Sequence, residues 1–251
     1  MSGTQTPRSL GKGYEQMYVR FVIDPLAAPV AQRLARYPAV TPNRITLASG
    51  LCGLAAAVCF ALGALPAGGL LFLLRFYIDC LDGKVARAQG SSSERGAALD
   101  LCMDVTGILF GGAALSWYLV GQDALPAGAA LAFVVALGVF NWLLQYRKQL
   151  AERHDQGTGG ADRSRTTNIP ILRGYVRWCH KLDMNPVPYA VEMETLALGL
   201  LPLFAAPALA AWGLWLAIAF YTAASAVNFL RIWRIAGRAD TPATTLGGNN
   251  E

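Results

Sequence analysis

The stretch PAGGLLFLLRFYIDCLDGKVARAQG covers residues 66–90, and SSSERGAALDLCMDVTGILFGGAALSWYLVG carries on to residue 121. Each half holds an apolar run long enough to cross a bilayer as a helix, which takes about 20 residues. The charged residues are not spread along these runs. Asp79, Asp82, Lys84 and Arg87 close the first run, and Glu94, Arg95, Asp100 and Asp104 open the second. Two antiparallel membrane helices with their polar ends side by side are the simplest reading.

The rest of the chain repeats that grammar. Apolar runs fall near 44–63, 66–88, 97–121, 125–146, 187–206 and 209–232. They predict an all-α polytopic protein with six transmembrane helices. Of the 251 residues, 54% are hydrophobic and 15% charged, against roughly 25% charged in soluble domains. Disorder, collagen and a disulfide scaffold are excluded. Of the five Cys, Cys52, Cys59, Cys80 and Cys102 sit in apolar runs and none makes a CxxC, so they read as small packing residues. Links such as Leu65-Pro66-Ala67-Gly68, Gly121-Gln122-Asp123 and Ala206-Pro207 suit tight turns at one face.

Net charge is +5, but no basic stripe with interleaved aromatics suggests nucleic acid. The charge reports orientation instead. Apart from Arg75, every Lys and Arg lies before the first span, after the last, or in the links between spans two and three and spans four and five. The positive-inside rule then puts both termini and the charged helix ends in the cytoplasm, of a bacterial cytoplasmic membrane. The first apolar run starts too late for a signal peptide. In residues 14–37, Tyr14, Met17, Tyr18, Phe21, Leu26, Val30, Leu34 and Tyr37 recur at helical spacing among Arg20, Arg33 and Arg36. This predicts an interfacial amphipathic helix, split by Pro25 and Pro29, with Asp24 capping the second piece. The expected organisation is a cytoplasmic tail and interfacial helix over 1–40, a six-helix membrane domain over 41–236 and a disordered tail over 237–251. Residues 1–12 and 240–251 read as disordered, and 153–168 as a polar, mobile loop.

Charged groups inside spans cost roughly 2.5–3.5 kcal/mol each, so they mark function by default. Asp79 and Asp82 are spaced i,i+3 and Asp100 and Asp104 i,i+4, which puts each pair on one helical face. The pairs sit at the same end of neighbouring antiparallel helices, so the four side chains can share a pocket. Four carboxylates there need compensation. Two divalent cations supply it, and oxygen-only ligands favour Mg²⁺ or Mn²⁺. Paired metals suit phosphoryl transfer. Gly83 and Ala86 are small enough for a flat ring and sugar to approach the backbone. Arg87 offers a fork for a diphosphate, and Gly96 lets the next span approach a nucleotide. An ion carrier would need polar groups along a pathway, and a scaffold would not need Arg87, Gly83 and Gly96 at these spacings.

The run Asp79-x2-Asp82-Gly83-x2-Ala86-Arg87-x8-Gly96-x3-Asp100-x3-Asp104 resembles the signature of the CDP-alcohol phosphatidyltransferases (CDP-alcohol phosphotransferases). Thr41-Pro42-Asn43-x2-Thr46 is similar to that family's entry into its first span. The resemblance implies transfer of a substituted phosphoryl group from a CDP-linked donor to an alcohol, with release of CMP. It implies Asp79, Asp82, Asp100 and Asp104 as ligands of two metal ions, and Asp104 also as general base for the acceptor hydroxyl. It assigns the CDP moiety to Asp82, Gly83, Ala86, Arg87 and Gly96, with Asn43 and Thr46 from the first span, and it implies a homodimer. A metal-bound Asp is a weak base, so the ligand role of Asp104 is the firmer one.

Phosphatidyl transfer from CDP-diacylglycerol to a small polar alcohol is the leading expectation. A donor carrying the headgroup, with a lipid or soluble alcohol as acceptor, is the alternative. Arg147, Lys148, Arg173, Arg177 and Lys181 crowd one cytoplasmic link. They meet anionic lipid headgroups or bind a phosphate on the acceptor, as would suit inositol phosphate or glycerol 3-phosphate. Of Glu192 and Glu194, two residues apart, one can face the pocket and bind the acceptor's hydroxyls or its amine. Arg75, one turn before Asp79, forms an ion pair, snorkels, or reaches an anionic substrate group. His154 and His180 lack partner spacing.

Overall fold

The structure is a computed structural model that describes residues 17–155 and 190–239. Its described elements are all helical. A π-helical turn, Val19–Ile23, leads into α1, Asp24–Leu34. Then follow α2 (Pro42–Ala61), α3 (Leu65–Gln89), α4 (Glu94–Gly121) and α5 (Ala127–Asp155). After the undescribed stretch come α6 (Ala190–Glu194), a π-helical segment (Thr195–Leu200), a 3-10 turn (Leu201–Phe204) and α7 (Pro207–Ala239).

Four of these helices, α2, α4, α5 and α7, are long and apolar enough to cross a membrane. The fifth long helix, α3, has 25 residues, but its second half carries Arg75, Asp79, Asp82, Lys84 and Arg87. The helical run 190–204 covers most of the expected fifth span. The chain is an integral membrane protein. The tails 1–12 and 240–251, residues 156–168, and Arg173, Arg177, Lys181 and His180 lie outside the described residues. Residues 153–155, expected in a loop, continue α5. Loss of hydropathy at Arg147 marks where an apolar run stops, not where helical hydrogen bonding does.

The described residues fall into two compact units. One holds 17–134 and 190–217, the other 135–155 and 218–239. In the first, α2 packs on α3 and α4 through small residues. Ser49, Gly50, Gly53, Ala56 and Ala57 are buried along α2, so backbones approach closely, as membrane helices require. Phe60, Leu65, Phe72, Leu115 and Leu119 fill the layer beyond them. The second unit is centred on Phe140 and Tyr221, ring centroids 5.3 Å apart. Trp142 and Trp233 stay exposed there.

The N-terminal helix packs Val19, Ile23, Ala27 and Ala31 onto Phe76, Leu81 and Val85 of α3. The expected split at Pro25 and Pro29 is not observed: Val19–Ile23 runs into α1 at Asp24 with no break in the helical backbone, and Pro29 lies inside α1. Asp24 does not cap. It is the first residue of α1, and its carboxylate takes an ion pair from Lys84 Nζ at 2.8 Å. The turn before α3 also differs from expectation. It is made by Gly63 at φ +78°, and Leu65 and Pro66 already belong to the helix, where a proline in the first turn costs no hydrogen bond.

Candidate active site

The polar end of the first unit is built by three helix termini. α3 stops at Gly90, whose φ of +64° lets Ser91 N–H return to Ala86 O at 3.0 Å. This left-handed stop is the usual reason for glycine just past a helix. The chain restarts at Glu94, with Ser93 Oγ accepting from Gly96 N–H at 3.1 Å. The short link holds the ends of α3 and α4 together. The start of α2 is the third wall, and Asn43 Oδ1 lies 3.3 Å from where a Cβ on Gly96 would stand. Gly96 is therefore the point of close approach between α2 and α4.

Between these ends lies a cavity of about 170 Å³. Its lining includes Asn43, Thr46, Asp82, Gly83, Ala86, Arg87 and Gly96, together with Asp100. Seven residues predicted from 54 positions of sequence thus meet at one cavity. Two helix N-termini, those of α2 and α4, open on it, which favours an anionic group. A Cβ on Gly83 would come within 3.3 Å of Arg87 Nη1, so the glycine leaves the guanidinium its place beside the cavity. Ser91, Ser92, Ser93, Ala97 and Pro42 also line it and were not predicted. A serine directly before a helix start was the available signal for Ser93.

Three of the four carboxylates form a tight group. Asp79, Asp82 and Asp100 offer oxygens that all lie within 4.8 Å of one another. Asp82 is buried, and its Oδ2 accepts a hydrogen bond from Thr46 Oγ1. Asp79 Oδ1 is buried with no hydrogen-bond partner among the described residues. A buried, unpaired carboxylate oxygen beside two further carboxylates is costly unless a cation meets it. Three oxygen donors of this kind fit a hard divalent ion. Asp104 has its Oδ1 paired with Arg75 Nη2. Of the readings open for Arg75, the ion pair is the one observed.

Among the residues expected to bind the acceptor, Glu192 stands in the first unit. Glu192 is half-buried on α6 and does not line the cavity; Glu194 is the more buried of the two acids. Arg147 and Lys148 stand on α5 in the second unit, and Arg173 and Arg177 lie outside the described residues.

Known proteins give this geometry its context. The chain is 35% identical over 181 residues to a phosphatidylinositol phosphate synthase of Corynebacterium glutamicum, covering 69% of this chain and 77% of that one. It is 35% identical over 124 residues to an archaetidylinositol phosphate synthase of Methanothermobacter thermautotrophicus, covering 47% and 60%. The fold is similar to a crystal structure of Mycobacterium tuberculosis phosphatidylinositol phosphate synthase with CDP-DAG bound. That likeness has a TM-score of 0.51 at 20% identity, over 87% of this chain and 99% of the other. Residues 39–223 match the model of the CDP-alcohol phosphatidyltransferases. With most of the chain inside that match and the whole signature run gathered at one end of its helices, the protein belongs to the CDP-alcohol phosphatidyltransferase family of membrane transferases.

Proposed function

We propose that the protein transfers the phosphatidyl group of CDP-diacylglycerol to a hydroxyl of inositol phosphate and releases CMP. The observation that carries the reading is the meeting of the nucleotide-type cavity and the Asp79–Asp82–Asp100 group along one shared wall, at Asp82 and Asp100. The similarity to phosphatidylinositol phosphate synthases supports inositol phosphate over glycerol 3-phosphate.

Asp79, Asp82 and Asp100 would hold divalent cations, Mg²⁺ or Mn²⁺, with Asp104 as the fourth ligand. When bound, two such ions neutralise the diphosphate and stabilise CMP as it leaves. The protein's own residues do the positioning. Arg87 grips the diphosphate in a fork. Gly83, Ala86 and Gly96 let the cytidine ring and ribose lie against backbone, and Asn43 and Thr46 hold them from α2. The acceptor oxygen attacks the phosphorus distal to cytidine as the bond to CMP breaks. The hydroxyl proton passes to Asp104. Orientation and charge account for most of the rate. Arg147, Lys148, Arg173, Arg177 and Glu192 are the groups for the acceptor's phosphate and hydroxyls.

The same reading includes six spans, with α3 and the run around 190–204 joining the four apolar helices. It keeps a membrane domain at 41–236 between cytoplasmic segments 1–40 and 237–251. The N-terminal helix lies in the interface, the site and both termini face the cytoplasm, and the protein works as a homodimer. CMP release by purified protein with Mn²⁺ and CDP-diacylglycerol tests the chemistry, with inositol 1-phosphate, glycerol 3-phosphate, inositol and serine supplied singly and Asp104→Asn as blank. Release with inositol 1-phosphate alone is the expected result. Release only with a CDP-headgroup and diacylglycerol would replace the donor assignment.

A further inference from the structure

Lys84 stands inside the signature run, between Gly83 and Ala86, yet it does not line the cavity that those residues share. It is buried and turns toward α1, where its Nζ meets Asp24 Oδ1 at 2.8 Å. That oxygen is buried and accepts no hydrogen bond among the described residues, so the ammonium is what meets its charge. Around the pair runs the apolar seam between α1 and α3, and Ile45 of α2 belongs to that seam with Leu81 and Val85. Sequence neighbours therefore serve opposite sides of one wall. Ile45 and Leu81 pack in the seam behind, while Thr46 and Asp82, the next residue in each helix, line the cavity in front. The link from α1 to α2 leaves little slack. Tyr37 N–H donates to Leu34 O at 3.0 Å and Val40 N–H to Tyr37 O at 2.9 Å, and Gln89 Nε2, at the end of α3, reaches Val40 O at 3.0 Å. Where α1 sits on α3 thus fixes where the first turn of α2 meets the cavity.

We propose that Lys84 is a positioning residue for the CDP-linked donor: paired with Asp24, it clamps α1 to the back of α3 and so sets the gap between Asn43 and Thr46 on α2 and Gly83 and Arg87 on α3. It touches no part of the donor itself. This role rests on the donor assigned under the proposed function and adds to it a residue that acts from behind the cavity wall. Its physical basis is registry. A seam built on small groups such as Ala27 and Ala31 can slide along the helix, because apolar contact has no direction. A buried ion pair has one position, and leaving either partner alone is strongly unfavourable. The cavity, about 170 Å³, is bounded by α2 on one side and α3 on another. A small slip of α1 therefore misaligns the groups on one wall against those on the other, and contacts that act together on one ligand are lost together.

The decisive experiment is calorimetric binding of CDP to the full chain in detergent with Mn²⁺, alongside kcat and the KM of each substrate from CMP release with CDP-diacylglycerol and inositol 1-phosphate. Lys84→Met removes the charge at similar length. The Kd for CDP and the donor KM should each rise about tenfold, while acceptor KM and kcat at saturating donor stay within about threefold. Asp24→Asn removes the other charge and should raise both donor constants to within about threefold of the Lys84→Met values. The double variant should lie within about twofold of the worse single one, because the two residues act as a unit. A residue that merely held the bundle together would lower the active fraction and leave both constants where they were. Unchanged Kd and donor KM in folded Lys84→Met overturn the proposal. A rise confined to Lys84→Met overturns it too, since the ammonium would then be touching the donor, and so do effects that multiply in the double variant. Should Lys84→Met not fold, Asp24→Asn decides, and donor constants equal to those of the unaltered chain sink the clamp. If the unaltered chain binds CDP but transfers nothing to inositol 1-phosphate, the proposed acceptor falls while the Kd series still judges Lys84. If it binds no CDP at all, the proposed function falls and this role with it.

Discussion

The two halves of α3 are held by different physics. From Leu65 to Leu74 the helix is fixed by shape. Phe60 lies against Gly68, and a Cβ on Gly69 would stand 2.5 Å from Gly199 O, while Leu65 and Phe72 are almost wholly buried. From Arg75 to Gln89 it is fixed by charge. Arg75 pairs with Asp104, Lys84 with Asp24, and Asp82 takes a hydrogen bond from Thr46. Gln89 Nε2 donates to Val40 O at 3.0 Å and ties the chain before α2 to the end of the helix. Each pairing draws a different element, α1, α2 or α4, onto the same 15-residue stretch. The apolar half needs only neighbours of the right size. The polar half needs a named partner for every buried charge, because an unpaired one is strongly destabilising.

One acid lacks such a partner, and it gives the sharpest way to break the comparison. Asp79 Oδ1 is buried without a hydrogen bond among the described residues, which is a cost to folding that the proposed cation site would offset. Asp79→Asn should lower CMP release by at least about 10³-fold, with a melting midpoint in chelator that is unchanged or higher. Near-normal turnover would remove Asp79 from the site. A collapse of stability would make it a structural acid like those with partners.

Gly68→Leu tests the other half. The added side chain meets the Phe60 ring and has nowhere to go in a close-packed layer, so it should cost about 1–3 kcal/mol. The outcome should be the reverse of the Asp79 result: a lower melting midpoint in detergent, with kcat per folded molecule close to normal. A large kcat loss in well-folded protein would show that the apolar half transmits strain to the site. Arg87→Lys comes next in size. Lys keeps the charge but loses the fork, so the KM for the CDP donor should rise about tenfold while the midpoint stays put. Unchanged kinetics would take Arg87 out of the diphosphate site.

Sequence legibility follows the same division. The apolar runs announce where α2, α4, α5 and α7 begin to within three residues, since a span is a local property of about 20 positions, but α5 and α7 run on past the expected ends to Asp155 and Ala239. The signature spacing also foretells the cavity, because i,i+3 and i,i+4 pairs fix which side chains share a face. What could not be read is long-range pairing. Lys84 counts in sequence only as one more cytoplasmic cation, yet it is 3% exposed and pairs across 60 positions with Asp24. Arg75 left three readings open, because nothing local says that Gly53 and Gly107 clear a passage toward Asp104. The acceptor side stayed unread for another reason: its candidate residues sit in different parts of the chain, and no spacing rule connects them.

Thr46 offers the finest test, because it touches the charged half without carrying charge. Its hydroxyl donates to Asp82 Oδ2 and lies 3.1 Å from Pro42 O. The hydroxyl has a single proton, so a donation to Asp82 leaves the Pro42 carbonyl to its helical partners. Removing the hydroxyl costs Asp82 an orienting bond but leaves the acid and the packing volume in place. Thr46→Val should lower kcat about fivefold, with a loss of stability of about 1.5–3 kcal/mol for a buried hydrogen bond whose acceptor is charged. Thr46→Ser, which restores the donor, should recover most of the rate. The pair measures how much of the polar half's function lies in holding its carboxylates still, as opposed to merely having them. If Val and Ser behave alike, Asp82 is positioned by the helix alone, and the contrast between the halves of α3 reduces to where its charges are written.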